Sequence, residues 1–435
     1  MSKTKKLPIS KPIAAVPRSS IAENSSLEYE IIPERVSDLV HPSRSFPTVP
    51  SSVYPLARPL TILMVIDQLN IGGTETYTLS LTREMIRQGA KVVIAGKKGK
   101  LLDPFIGLGC AVYELDFVTN NFEPNTEHYP ELLSLLTCII QNEQIQLVHA
   151  HQFPSGKLAK MAADEAQLPF VFTVHGTYYD SKLLEEIRES TVISVSPAIE
   201  RVLLNNGISS HLIPNGIDIT EYQSYHPEYR EHLRRKLGIS EHALVVMYAG
   251  RLAWEKADIC KELIHASAFL RKNRYPQLHV IIVGGGREEE EIVALANQKQ
   301  MIQGQPFISF AGESVNMRNY YAVSDCVIGT GRVALEAMSS MRPFIAVGSK
   351  GFLGAIQFAN SSKAWDSWFG DHGTTPELLT REMLIDQMDC ILSMSKEDRA
   401  NLSKWGRNHV SERYPITAVA KKMMETYEQA LFTMK

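Results

Sequence analysis

No apolar stretch of this 435-residue chain reaches the roughly 18 to 20 residues that a membrane-crossing helix needs. Cysteine is sparse: Cys110, Cys138, Cys260, Cys326 and Cys390 are scattered, and no two form a Cys-x-x-Cys pair. Dispersed thiols in odd number point to a reducing compartment and away from a zinc site. There is no Asp-x-Asp to hold a divalent ion and no Gly-x-Ser-x-Gly nucleophile elbow. Gly348-Ser-Lys-Gly351 lacks the spaced glycine and the following Ser or Thr of a Walker loop. The net charge is only -3, from 45 Lys and Arg against 48 Asp and Glu, so nothing broad draws the chain to nucleic acid. The basic start, Met1 to Lys6, runs into prolines and serines with no apolar core behind it, so no secretion signal is expected and cytoplasm is the default.

What is present divides the chain. Residues 1–58 are rich in Pro, Ser and charge, a composition that buries too little apolar surface to offset ordering entropy, and they are expected to form a disordered arm. From Leu60 onwards, short β-branched runs alternate with helical patterns: Leu60 to Ile66, Lys91 to Ala95, Gln146 to Ala150, Phe170 to Val174 and Val192 to Val195. After Ile213-Pro-Asn-Gly-Ile-Asp218 a second series begins, with Leu244 to Ala249, Leu278 to Val283, Phe307 to Phe310, Cys326 to Ile328 and Phe344 to Val347. Strands alternating with helices predict parallel sheets with right-handed crossovers. The expected class is therefore α/β, with two doubly wound Rossmann-like domains at 59–218 and 219–414, closed by a helix within 415–435.

Ligands of such sheets bind beyond the carboxyl ends of the strands. Gly72-Gly73 follows the first strand and precedes a helix, which suits either a tight turn or close approach of a polar ligand. Gly250-Arg251-Leu-Ala-Trp-Glu-Lys256 places two cations at a strand end. They read as solvated surface charges or as a clamp on a diphosphate leaving group. Gly284 and Gly285 open a weak glycine motif followed by Arg287-Glu288. His149, His151 and His175 stand at two strand ends without the further ligand that a metal would need, so no metal is assigned. His175 suits a polar contact to sugar or phosphate, while His149 reads equally as a core histidine. Glu336, behind Thr330-Gly331-Arg332, reads as a solvated helix residue or as a carboxylate accepting both hydroxyls of a ribose.

Together and in this order, Gly72-Gly-Thr74-Glu75, His149-Ala-His151, His175-Gly176, the Pro-Asn-Gly linker, Gly250-Arg-Leu with Lys256, Val283-Gly-Gly-Gly286 and Ala334-Leu-Glu-Ala-Met338 resemble the GT-B glycosyltransferases, specifically family 4 (glycosyl transferases group 1). The resemblance implies a retaining, metal-independent transferase with no cofactor beyond a UDP- or GDP-type sugar as co-substrate. It implies that Arg251 and Lys256, with His175, serve the departing diphosphate. The donor would lie among Gly72, Gly73, Gly250, Gly284, Gly285, Thr330, Gly331, Arg332, Glu336, Ser349 and Gly351. Thr74, Glu75, His149 and His151 would face an acceptor, expected among cell-envelope or surface glycans, lipid-linked sugars or small molecules. It also suggests that the last helix returns to the first domain. One departure stands out: the family's first glutamate, eight positions before Glu336, falls on Ile328, and a short Gly329-Thr-Gly-Arg332 loop takes its place. A sugar-nucleotide epimerase, or an altered scaffold acting in binding or assembly, are the alternatives. Peripheral membrane contact through the basic stretch Arg230 to Lys236 is a further expectation, against a plain solvated helix face.

Overall fold

The apolar runs fold as strands because alternate side chains find a core on each face. In the first strand, Leu63 and Val65 join one buried cluster and Ile62, Met64 and Ile66 the other. The computed structural model describes residues 59–433 apart from 120–122, 178, 180, 224–226, 305 and 374–378, so the expected N-terminal arm lies outside the described residues.

The first lobe contains β1 (Thr61–Gln68), β2 (Lys91–Lys97), β3 (Ala111–Glu114), β4 (Leu147–Ala150), β5 (Phe170–Val174), β6 (Thr191–Ser194) and β7 (His211–Leu212). Their order is β3-β2-β1-β4-β5-β6-β7, all parallel. The second lobe contains β8 (Leu244–Ala249), β9 (Leu278–Val283), β10 (Ile308–Gly312), β11 (Cys326–Gly329), β12 (Phe344–Gly348) and β13 (Gly351–Ala355), ordered β10-β9-β8-β11-β12-β13. Only β13 runs antiparallel, as the return arm of a hairpin from β12. Again the clusters alternate: Val245, Met247 and Ala249 face one way, Val246 and Tyr248 the other. Each such side chain contributes about 1.5–3 kcal/mol on full burial. Two sheets with cores on both faces establish the α/β, GT-B architecture.

The chain crosses between lobes twice, at adjacent places. The Ile217 amide donates to the Tyr414 carbonyl at 2.8 Å, and the Ile416 amide returns the bond to Ile217 at 2.9 Å. A Cβ on Gly216 would sit 2.9 Å from the Ile416 backbone, so only glycine lets the two crossings lie this close. Beyond the second crossing, helix Ile416–Thr433 lays Val419, Ala420, Met423 and Tyr427 into the core of the first sheet, against Tyr77, Leu81 and Met85 of helix Gly73–Arg87.

Candidate active site

Strand order reverses between β1 and β4 in the first lobe and between β8 and β11 in the second. The crevice of an open parallel sheet lies beyond such a reversal. The loops found there carry most of the candidate residues.

On the first lobe, Gly72 is extended (φ -160°) ahead of helix Gly73–Arg87, and a Cβ on it would lie 2.2 Å from a carboxylate oxygen of Glu75. Glycine here makes room for that acid. Glu75 is buried and accepts from Gln152 Nε2 at 2.8 Å; Gln152 Oε1 accepts from the Asp67 amide at 3.0 Å, and Asp67 Oδ1 from the Ser155 amide at 2.9 Å. Burial pushes the Asp67 carboxyl up to about 6, assisted by the Glu75 charge and opposed by the bonds from Ser155. Burial also raises Glu75, against the Gln152 bond and the Arg251 charge from the other lobe. Gly73 is exposed, and the Thr74 carbonyl accepts from the Thr78 hydroxyl at 2.9 Å.

The histidines form one row, with His149 and His151 buried and His175 half-buried. His149 gives one ring nitrogen to Tyr427 Oη at 2.5 Å and the other to Thr173 Oγ1 at 2.8 Å, so both are filled and no solvent reaches the residue. The acceptor contact expected for His149 gives way to the core reading. His151 and His175 share a ring-to-ring bond at 3.1 Å. Burial holds all three well below the ordinary histidine range, hence neutral. Around them the Tyr77 hydroxyl, His151 Nε2 and Asn215 Oδ1 are buried without a hydrogen-bond partner among the described residues.

On the second lobe two loops are laced together. The Gly250 amide donates to Val283 at 3.1 Å, Leu252 to Gly285 at 2.9 Å, and Glu288 back to Leu252 at 3.0 Å. Gly284 has φ +142°, and a Cβ there would lie 1.9 Å from the Gly250 carbonyl; one on Gly286 would lie 2.4 Å from that of Leu252. These glycines are explained by loop-on-loop contact before any ligand is invoked. Arg251 is exposed, with its guanidinium 5.7 Å from the centre of the Trp254 ring. Lys256 instead pairs with both carboxylate oxygens of Asp371, at 3.0 and 3.1 Å. Burial tends to raise the Asp371 carboxyl, but Lys256, His372 and Arg251 together hold it below its usual range. Of the two cations expected on the diphosphate, Arg251 has no ion-pair partner among the described residues and Lys256 is paired with Asp371.

Glu336 also differs from the expectation of a ribose acceptor. It is 5% exposed, and its carboxylate accepts from Arg332 Nε at 2.8 Å and Tyr321 Oη at 2.7 Å, with the Tyr222 hydroxyl bonding it as well. Nor is Arg332 a donor contact in this arrangement. It reaches across to the first lobe, donating to Ser80 Oγ at 3.1 Å and to the Gly216 carbonyl at 3.0 Å. Thr330 gives its hydroxyl to the Phe369 carbonyl at 2.8 Å, and Gly331 (φ +56°) lies against Trp368. Ser349 and Gly351 belong to the β12–β13 hairpin, whose Gly348 and Gly351 pair across the turn.

Asp371 and His372 carried no sequence signal. His372 is buried, meets Ser196 Oγ at 2.8 Å and the His175 carbonyl at 3.0 Å, and so ties the second lobe to the first. Lys100–Glu313 (2.7 Å) and Arg201–Asp366 (2.6 Å) also bridge the lobes. The basic stretch expected at a membrane is partly internal, because Arg230 and Arg234 turn onto Asp325. Among the described residues no helix is long and apolar enough to cross a membrane, and no three His, Cys, Asp or Glu side chains cluster to hold a metal.

Residues 71–221 match the model of Glycosyltransferase Family 4, and residues 229–365 that of Glycosyl transferases group 1. The chain is a family 4 GT-B glycosyltransferase. Among solved structures, Anabaena HepE in complex with UDP and glucose superposes with a TM-score of 0.66 at 20% identity, covering 85% of this chain and all of that one. A glycosyltransferase from Rickettsia africae gives 0.66 at 17% identity, covering 86% of this chain and 99% of the other. The D-inositol 3-phosphate glycosyltransferase of Mycolicibacterium gilvum is 24% identical over 350 residues, 69% of this chain and 77% of its own length. The alpha-monoglucosyldiacylglycerol synthase of Acholeplasma laidlawii is 24% identical over 236 residues, 46% of this chain and little over half (58%) of that relative.

Proposed function

We propose that this glycosyltransferase takes a sugar from a UDP- or GDP-type donor and passes it, with retained anomeric configuration, to a hydroxyl of an acceptor held on the first lobe. One observation carries the donor half. Arg251 stands exposed at the carboxyl end of β8 with no ion-pair partner among the described residues, close enough to Glu75 and Asp371 for its charge to act on both. A guanidinium so placed can bind phosphate oxygens as they gain charge. HepE, of the same fold, carries UDP and glucose in its solved complex, which supports the same class of donor here.

In the reaction, the bond from the anomeric carbon to the phosphate oxygen breaks. The acceptor hydroxyl bonds to that carbon on the same face, and its proton passes to the departing phosphate. Arg251 stabilises the charge released, and no protein nucleophile takes part. On the first lobe the carboxylates of Asp67 and Glu75 offer oxygens to acceptor hydroxyls. The acceptor belongs with polyhydroxy compounds of the cell envelope or surface; the names of two relatives, with D-inositol 3-phosphate and monoglucosyldiacylglycerol, support a hydroxyl-bearing acceptor.

Thermal unfolding with and without UDP or GDP tests this. At a hundredfold excess over Kd, binding adds about 2.7 kcal/mol of stability. Arg251→Ala removes a charge-assisted bond and weakens binding roughly 10- to 100-fold. Stabilisation by neither nucleotide, or full stabilisation of Arg251→Ala, refutes the donor assignment; the anomeric configuration of the product, read by NMR, tests retention.

A further inference from the structure

The backbone of Trp254 is unusual for its residue type. It caps helix Glu255–Asn273 with φ +53° and ψ -145°, a strained region that residues with a Cβ rarely enter. Its amide is fixed by Glu288 Oε1 at 2.8 Å, and its indole is 51% exposed. Burial does not account for holding a large ring half in water by a strained backbone.

Two cations explain it better. The laced loops bring Arg251 and Arg287 to the same ring, with guanidinium carbons 5.7 and 4.8 Å from its centre. Such contacts at exposed sites are weak, enough to orient a side chain without consuming its charge. Arg251 has no carboxylate partner among the described residues. The carboxylate paired with Arg287, that of Glu288, lies 3.6 Å away and is already engaged by the Trp254 amide and by Lys261 at 3.2 Å. Lys256, by contrast, is spent on Asp371.

We propose that Arg251 and Arg287, both set against the Trp254 ring, form a clamp for phosphate oxygens in which Arg287 adds a cation beside the Lys256–Asp371 pair. Trp254 is a positioning residue: its ring meets both guanidiniums and holds them at one place on the surface. The clamp rests on the donor reading above where the phosphate is the donor's; a phosphorylated acceptor presents the same chemistry.

Calorimetric titration of the full chain with UDP, with uridine and with glucose 6-phosphate separates these sources. Wild type is compared with Arg287→Ala and Arg287→Lys, and both changes fall on an exposed side chain. The expected result is a loss of about 10- to 100-fold in UDP affinity for Arg287→Ala, less for Arg287→Lys, and none for uridine. A loss confined to glucose 6-phosphate assigns the same clamp to the acceptor. Binding of UDP and glucose 6-phosphate to Arg287→Ala as tightly as to wild type overturns it. Should wild type bind glucose 6-phosphate through Arg287 but neither UDP nor GDP, the donor reading fails and the clamp survives; no binding of any phosphate sinks both. Tryptophan emission that shifts on UDP binding in wild type but not in Trp254→Phe provides an independent readout of the ring.

Discussion

Changing Glu336 to Gln preserves its shape and removes its charge, which isolates what its buried ion pair with Arg332 contributes. Both side chains are almost fully enclosed, at 8% and 7% exposure, and the Arg332 guanidinium otherwise meets only neutral acceptors, the Ser80 hydroxyl and the Gly216 carbonyl. Removing one member of such a pair leaves an uncompensated charge away from water, at a cost of about 3–5 kcal/mol. Replacing both, as in Arg332→Met with Glu336→Leu, removes the unpaired charge and is expected to recover most of that loss. The assay is urea unfolding followed by tryptophan emission. All four tryptophans, Trp254, Trp365, Trp368 and Trp405, belong to the second lobe, so the signal reports the lobe that holds the pair. A Glu336→Gln protein within about 1 kcal/mol of wild type would show that the carboxylate is not the counter-charge of Arg332, and would restore it as a candidate ligand for ribose.

Tyr427→Phe strips His149 of a buried partner, and should cost about 1–3 kcal/mol, measured by the denaturant midpoint of the first lobe from a non-tryptophan probe such as far-ultraviolet circular dichroism. Gly284→Ala forces a methyl into the Gly250 carbonyl at a backbone angle that alanine avoids, so nucleotide-dependent stabilisation should vanish even where the chain still folds. His372 is held neutral by burial, down to about 4. Its folded pKa is depressed, so the unfolded chain binds the proton more readily, and stability falls as pH drops from about 6.5 through 4. His372→Gln should flatten that slope in melting curves taken across this range; an unchanged slope would assign the acid sensitivity elsewhere.

The two series of strands were readable because fully buried strands are near-continuous apolar runs, as in Leu278 to Val283. The hairpin strand Gly351–Ala355 was missed. It is short, glycine-rich and at a sheet edge, where one buried face suffices and no long run is needed. In the site, Arg251 was visible from its place after a strand. The fate of Lys256 was not, because Asp371 lies 115 residues away in a segment without periodicity, just after Trp368 and Phe369 at φ +50° and +54°. Nothing local marks such a residue. Glu336 shows the reverse case: its motif is plain, yet its partners Tyr222 and Tyr321 come from separate elements, and only the fold shows that they surround it.

Because the first sheet takes helix Ile416–Thr433 into its own core, the lobe made earliest on the ribosome is completed last. Until that helix is in place, the faces of helix Gly73–Arg87 and of β5 that it packs against remain open to water and to other chains. A second lobe able to mature first would then deliver the missing piece, so removing this helix should damage the opposite half of the molecule.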